Sequence, residues 1–159
     1  MESLGLLVGH LVGDYILQND WMASNKTNKH PGKKPDGVIY RIDDGIDFAG
    51  PDAALLYRSW LDKRDSWWRG HIACTVHCLL YTFSVWLFTC WWMPWWGLVV
   101  CFVAHWPVDR FRLAGWWMRN VSGQRSFADG PMSPWSIIIV DNVYHILTLF
   151  VIGVLATKI

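Results

Sequence analysis

Tryptophan sets the scale of this sequence. The chain carries 13 tryptophans in 159 residues, many as adjacent pairs: Trp67-Trp68, Trp91-Trp92, Trp95-Trp96 and Trp116-Trp117. The pairs bracket apolar runs. Trp68 to Trp92 and Trp96 to Trp117 correspond, at a helical rise of ~1.5 Å per residue, to about 36 and about 32 Å. Those lengths match a hydrocarbon core of about 30 Å with an aromatic belt at each face. A tryptophan-rich soluble core competes with this reading, but it does not require doublets at that spacing. The composition agrees with a bilayer: 53% of residues are hydrophobic and 17% charged, where a soluble domain carries about 25% charge. Mean hydropathy is only +0.19, because hydropathy scales rank tryptophan low and one long polar loop dilutes the average. A formal charge of +1 leaves no basic footprint for a nucleic acid.

Four apolar stretches follow, at 4–17, 72–92, 95–108 with an amphipathic extension to 117, and 135–156. The first is short and needs its continuation through Trp21 to cross. It does not read as a signal peptide, since no basic segment precedes it and His10 and Asp14 interrupt it. The expected fold is all-α: one membrane domain over 1–159, a polytopic bundle of about four spans, with a polar loop at 26–66 between the first and second. Nine Lys and Arg fall between Lys26 and Arg69, four between Arg110 and Arg125, and none in the Trp92–Trp95 hairpin. The positive-inside rule makes both basic loops cytoplasmic, as expected for a multi-pass protein of a bacterial inner membrane. Within the long loop, His30-Pro31-Gly32, Asp43-Asp44-Gly45 and Gly50-Pro51 read as turns. Asp52 is placed as the cap of a short surface helix to Leu61. The aspartates at 43, 44, 47 and 52 read as solvated loop.

What interrupts the apolar runs is more informative than the runs. The first has His10-x3-Asp14, the second His77-x3-Tyr81, the third His105-x3-Asp109, the fourth Asp141-x3-His145. A separation of four puts both side chains on one helix face. Counted from the cytoplasmic belt at ~1.5 Å per residue, Asp14 and Asp109 lie about 11 Å deep and His10 and His105 about 17 Å. On the same rise His77 lies about 14 Å deep, Asp141 about 9 Å and His145 about 15 Å. All seven fall in one slab although alternate spans run in opposite directions.

An aspartate at mid-span costs roughly 2.5–3.5 kcal/mol, so three cost on the order of 9 kcal/mol unless paired or coordinated. Four imidazoles and three carboxylates form an N/O ligand set suited to zinc, with manganese or iron also compatible. Seven ligands exceed one tetrahedral ion and suit two ions about 3.5–4 Å apart, the arrangement used for phosphoester hydrolysis. A metal-free proton relay and a purely structural hydrogen-bond network are the competing explanations.

Other residues fit around that layer. Gly5, Gly9 and Gly13 form a small-xxx-small track that allows close helix approach. Tyr15, Gln18, Tyr81, Asn142 and Tyr144 are candidate supporting partners. Arg110 and Arg112 either snorkel to the cytoplasmic face or bind a substrate phosphate at the mouth of the site. His30 and His71 read as surface residues. Cys74, Cys78, Cys90 and Cys101 contain no CxxC pair, and Cys74 and Cys78 read as packing residues.

Four segments together resemble a known family. They are Gly9-His10-Leu11-Val12-Gly13-Asp14-Tyr15-Ile16-Leu17-Gln18-Asn19-Asp20-Trp21-Met22, the run from Ala73 through His77 to Thr82, His105-Trp106-Pro107-Val108-Asp109-Arg110, and Asp141-Asn142-Val143-Tyr144-His145. In this order they resemble domain-of-unknown-function family 3307, small integral membrane proteins of bacteria and phages. That family is distantly similar to membrane-bound metal-dependent hydrolases, and through them to zinc phospholipase C and single-strand nucleases. The resemblance implies a metal-ligating role for His10, Asp14, His77, His105, Asp109, Asp141 and His145. It carries no settled substrate, and this chain lacks the N-terminal tryptophan ligand of the soluble enzymes.

The function expected from these readings is a membrane-embedded, metal-dependent hydrolase of a phosphoester-containing lipid or lipid-linked substrate. Asp14, Asp109 and Asp141 are the catalytic candidates, one of them free to act as general base. The alternatives are a proton or divalent-cation transport element, and a non-enzymatic phage membrane factor acting by assembly. The partners expected are the bilayer and a lipid substrate, with a homo-oligomer compatible and no nucleic acid.

Overall fold

A computed structural model describes residues 2–33, 35, 38–40, 46–48, 51–89 and 92–158. Asp43 and Asp44 of the loop, with Cys90 and Trp91 of the hairpin, lie outside the described residues. The architecture is helical. Helix α1 (Glu2–Leu11) runs into a π-helical turn (Val12–Ile16), followed by α2 (Asp20–Asn25). Two three-residue strands, β1 (Val38–Tyr40) and β2 (Ile46–Phe48), pair antiparallel with Ile39 opposite Asp47. Then come α3 (Pro51–Phe88), α4 (Trp95–Phe111), α5 (Leu113–Asn120), α6 (Arg125–Asp129) and α7 (Trp135–Ala156).

Four helices form the frame. Helix α1 packs on α3, α3 on α4, α4 on α7, and α7 back on α1, closing a ring. The glycine track explains how α1 sits so close to α3. A Cβ on Gly5 would overlap the Phe88 carbonyl, one on Gly9 would stand 2.8 Å from the Val85 Cα, and one on Gly13 would stand 3.0 Å from the Tyr81 Cα. Ser84 Oγ donates to the Gly9 carbonyl at 2.9 Å across that interface. Away from the polar layer, Leu6, Val85, Met93, Cys101, Leu149 and Ile152 make the apolar core.

Two helices, α3 and α7, are long and apolar enough to cross a membrane. Helix α7 has the bounds expected for the fourth apolar stretch. Within its apolar window only 22% of residues are buried against the rest of the chain, so its hydrophobic surface mostly faces outward.

Three sequence expectations need correction. The surface helix at Asp52–Leu61 is not separate, and Asp52 is not its cap. Pro51 opens a helix of 38 residues that runs unbroken to Phe88, with Asp52 in the first turn, where its charge suits the helix dipole. The first stretch does not continue through Trp21 as one helix. It ends at Ile16, and Asn19 starts α2 afresh by accepting a hydrogen bond from the Met22 N–H at 2.9 Å. The third stretch does not extend smoothly to Trp117 either. Arg112, at φ 53°, is left-handed and separates α4 from α5.

Candidate metal centre

The four-residue spacings deliver the polar residues to the inside of the ring. His10 comes from the last turn of α1, Asp14 from the π turn, His77 from mid-α3, His105 and Asp109 from α4, and Asp141 and His145 from α7. The π turn is closed by the Leu17 N–H to the Val12 carbonyl at 2.9 Å, five residues back. Such wider turns occur mostly as single insertions, frequently at functional sites. Here the turn carries Asp14 toward α3 while Gly13 stays against Tyr81.

Five of the seven residues converge tightly. His77 Nε2 and His105 Nε2 are 3.2 Å apart. Asp14 Oδ1 stands 3.3 Å from the first and 3.5 Å from the second. Asp109 Oδ2 stands 3.0 and 3.3 Å from the same two nitrogens. His145 Nε2 completes the group, 3.5 Å from Asp109 Oδ1 and 3.4 Å from Asp141 Oδ2. Ligand atoms sharing one tetrahedral zinc at 2.0–2.1 Å stand about 3.4 Å from one another. The observed separations of 3.0–3.5 Å fit a set that could hold an ion, and fit direct hydrogen bonds as well. Asp14, His77 and His105 form one triplet able to hold an ion, and His105, Asp109 and His145 a second.

The remaining two sit beside this cluster. His10 is fully buried, but its Nε2 meets Asn142 Oδ1 at 2.9 Å and its Nδ1 meets the Tyr81 hydroxyl at 3.1 Å. With Nε2 donating to Asn142, Nδ1 is left to accept from the Tyr81 hydroxyl; His10 lies 3.4 Å from Asp14 Oδ2 as a neighbour and stands outside both triplets. Asp141 is 27% exposed where Asp109 is 2% exposed, which places it at the rim.

Asn142 and Tyr81 thus take the supporting positions expected of them, and Tyr15 joins through its hydroxyl, which accepts from Asn142 Nδ2. Gln18 lines the adjoining cavity with its Oε1 buried and unpartnered. Tyr144 faces Trp117 instead of the centre. His145 Nε2, His77 Nδ1 and His105 Nδ1 are buried with no hydrogen-bond partner among the described residues. Of these, His145 Nε2 stands 3.5 Å from Asp109 Oδ1 and 3.4 Å from Asp141 Oδ2, where it could serve as a ligand.

One residue was not visible in the sequence. Lys26, just past α2, reaches back so that its Nζ lies 2.7 Å from Asp109 Oδ2. Burial opposes the charge on Lys26, but the carboxylates of Asp109, Asp14 and Asp141 outweigh it and hold the ammonium above the ordinary lysine value. Three carboxylates against one ammonium leave two negative charges in the layer when the imidazoles are neutral, the charge that one divalent ion cancels.

A cavity of about 500 Å³ opens from the layer. Asp14, Asp109 and Asp141 form its floor, Lys26, Arg112 and Arg119 add positive charge, and Val108, Ala114, Pro134, Ile137 and Ile138 make its apolar wall. Arg119 is already paired with Asp129 at 2.7 Å. Arg112 is exposed, lines the cavity, and has no ion pair among the described residues.

Arg110 departs from both roles expected of it. It is 3% exposed and does not line the cavity. Its guanidinium donates to the carbonyls of Asn28 at 2.8 Å, Trp67 at 3.3 Å and Lys26 at 3.5 Å, tying the chain after α2 to α3. His30 is exposed as expected. His71 is not a surface residue: it is half-buried between Trp67 and Trp106, with ring centroids 4.2 and 5.5 Å away. Cys74, Cys78 and Cys101 are buried and unbridged; the first two have Sγ atoms 4.0 Å apart.

Comparison of this chain with protein-family models, with curated proteins and with solved structures gives no match.

Proposed function

We propose that this chain is a membrane-embedded, divalent-metal-dependent hydrolase acting on a phosphoester lipid or lipid-linked phosphoester. The observation that carries the reading is the convergence of His77 and His105 at 3.0–3.5 Å on Asp14 and Asp109, the two carboxylates that also line a cavity with a cationic, partly apolar wall.

The membrane setting is supported by the way the ring is turned inside out. Helix α3 presents Ile72, Val76, Leu79, Phe83 and Leu87 outward, and α7 presents Ile139, Val143, Ile146, Leu147 and Phe150. Helix α1 presents Leu4, Leu7 and Leu11, and α4 presents Val99, Val100 and Val103. These are helical stripes on all four ring members, while His10, His77, Tyr81, His105, Asp109 and His145 are buried inside beside the apolar core. Exposed apolar surface on this scale requires an apolar solvent or a partner. The four ring members are the four spans of this reading, in a bacterial inner membrane with the mouth of the cavity toward the cytoplasm. The resemblance to domain-of-unknown-function family 3307 is consistent with it.

The chemistry follows from the layout. A bound zinc, manganese or iron ion would supply a Lewis acid that polarises a phosphoryl oxygen and acidifies a water. His77 and His105 with Asp14 and Asp109 would hold the ligand positions, and His10, anchored by Tyr81 and Asn142, stands behind Asp14. Asp141, at the rim and outside both ligand triplets, accepts the proton of the attacking water. Arg112 binds the anionic phosphate, and the wall of Val108, Ile137 and Ile138 takes the apolar part of the substrate. The metal-dependent reading is favoured over a metal-free relay because His77 Nε2 and His105 Nε2 each stand 3.0–3.5 Å from both the Asp14 and the Asp109 carboxylate and 3.2 Å from each other, a convergence on one point that a linear relay does not need.

The test is turnover by detergent-purified protein on a panel of phospholipids and isoprenoid phosphates. Hydrolysis that depends on added divalent metal, stops with chelator and falls at least about 100-fold in His105→Ala, in line with the loss of a metal ligand, supports the proposal. Metal-loaded protein that turns over no member of the panel contradicts the hydrolase assignment.

A further inference from the structure

We propose that the Lys26 ammonium stands in the place of a second metal ion, so that the centre holds one divalent cation instead of two. The inference rests on the metal-centre reading above and makes it more specific. Two observations carry it. The first is ligand sharing. The two triplets, Asp14–His77–His105 and His105–Asp109–His145, both depend on His105. An imidazole nitrogen has one lone pair and binds one ion, so with His105 committed to the first triplet a second ion would have to take Asp141 in its place beside Asp109 and His145.

The second is charge. Lys26 Nζ touches Asp109 Oδ2 at 2.7 Å and also acts through space on Asp14 and Asp141. One divalent ion and one ammonium neutralise the three carboxylates. Two ions beside the ammonium would leave two positive charges in a layer where His10, His77 and Tyr81 are at most 1% exposed, and uncompensated charge in such surroundings is strongly disfavoured. The residues left for a second ion are Asp109, Asp141 and His145, the side of the cluster that Lys26 holds through Asp109. In two-metal sites the paired cations clamp the attacking and leaving oxygens. With one ion here, the lysine, which lines the cavity, would supply the other positive contact for the phosphoryl group.

The experiment counts metal. Intact protein in detergent is equilibrated with excess zinc or manganese, freed of unbound ion and analysed by mass spectrometry of the metal, alongside Lys26→Met and Lys26→Arg. The expected result is one ion per chain in wild type and in Lys26→Arg, rising twofold to two per chain in Lys26→Met, which keeps the stem but not the charge. Two ions in wild type overturn the inference while leaving the metal centre standing. One ion in Lys26→Met at wild-type affinity also overturns it, since the ammonium then holds no cation's place. No bound ion in wild type removes the metal-centre reading itself. Should Lys26→Met fail to fold, the wild-type count decides alone.

Discussion

Alanine at position 9 tests how tightly the ligand layer depends on helix approach. In an open helix, Gly→Ala is stabilising by about 1 kcal/mol. At Gly9 the new Cβ would stand 2.8 Å from the Val85 Cα, 3.3 Å from the Val85 N and 3.2 Å from the Ser84 carbonyl oxygen. All three are backbone atoms and cannot swing away. Restoring a carbon–carbon contact of about 3.5–4.0 Å moves α1 off α3 by roughly 1 Å. Overpacking of this kind costs about 1–3 kcal/mol. The Ser84–Gly9 hydrogen bond, now 2.9 Å, stretches and takes a further ~1 kcal/mol with it. The net expectation is a loss of about 1–3 kcal/mol. His10 and Asp14 lie just beyond Gly9, so they shift with the helix by more than the ~0.2 Å that a metal site tolerates. Thermal unfolding in detergent and zinc titration by calorimetry read the two effects together. A Gly9→Ala protein as stable as wild type, with unchanged metal affinity, would refute the close-approach argument.

Three further outcomes are expected. Arg110→Met leaves the Asn28, Trp67 and Lys26 carbonyls without their charged donor, lowering stability by about 3 kcal/mol and speeding amide exchange across 26–29; an unchanged exchange pattern contradicts the structural role. Arg112→Gly relieves the left-handed backbone at φ 53° and stabilises the chain by about 1 kcal/mol, while raising KM for a phosphoester substrate. A fall in stability, or an unaltered KM, goes against that assignment. Asn142→Leu removes the hydrogen-bond partner of His10 Nε2, loosening the residue that stands behind Asp14, and weakens metal binding about 10-fold; equal affinity in titrations of the two proteins contradicts the supporting role.

The polar layer is legible in the sequence because two simple rules overlap. Four-residue spacing fixes a helix face, and the cost of burying Asp14, Asp109 and Asp141 requires partners at their own depth. Those rules bring together Asp14, His77, His105, Asp109 and His145. They do not separate the direct cluster from its neighbours: His10 and Asp141 have the same spacing, and only the positions of Asn142, Tyr81 and the cavity rim set them apart. Lys26 carries no periodic signal. Its role depends on the chain breaking after Ile16, so that α2 turns and brings residue 26 back under Asp109. Arg110 is likewise opaque, because its acceptors are carbonyls at 26, 28 and 67 with no sequence signature. The continuity of α3 was open to inference. Residues 52–69 contain neither proline nor glycine, so a helix beginning at Pro51 has nothing to stop it before the apolar stretch, and the charged run Asp62–Asp65 reads as an exposed helix face equally well as a loop.

The most direct test of the central claim is whether the His/Asp layer binds a divalent ion through these side chains. X-ray absorption at the metal edge, on detergent-purified protein carrying the ion it acquires during expression, reads both presence and ligand type. The account predicts a stoichiometric metal with a nitrogen and oxygen shell containing imidazole, lost in the His77→Ala, His105→Ala double variant. Wild-type protein without stoichiometric metal, or a metal whose signal survives the loss of both imidazoles, would contradict it.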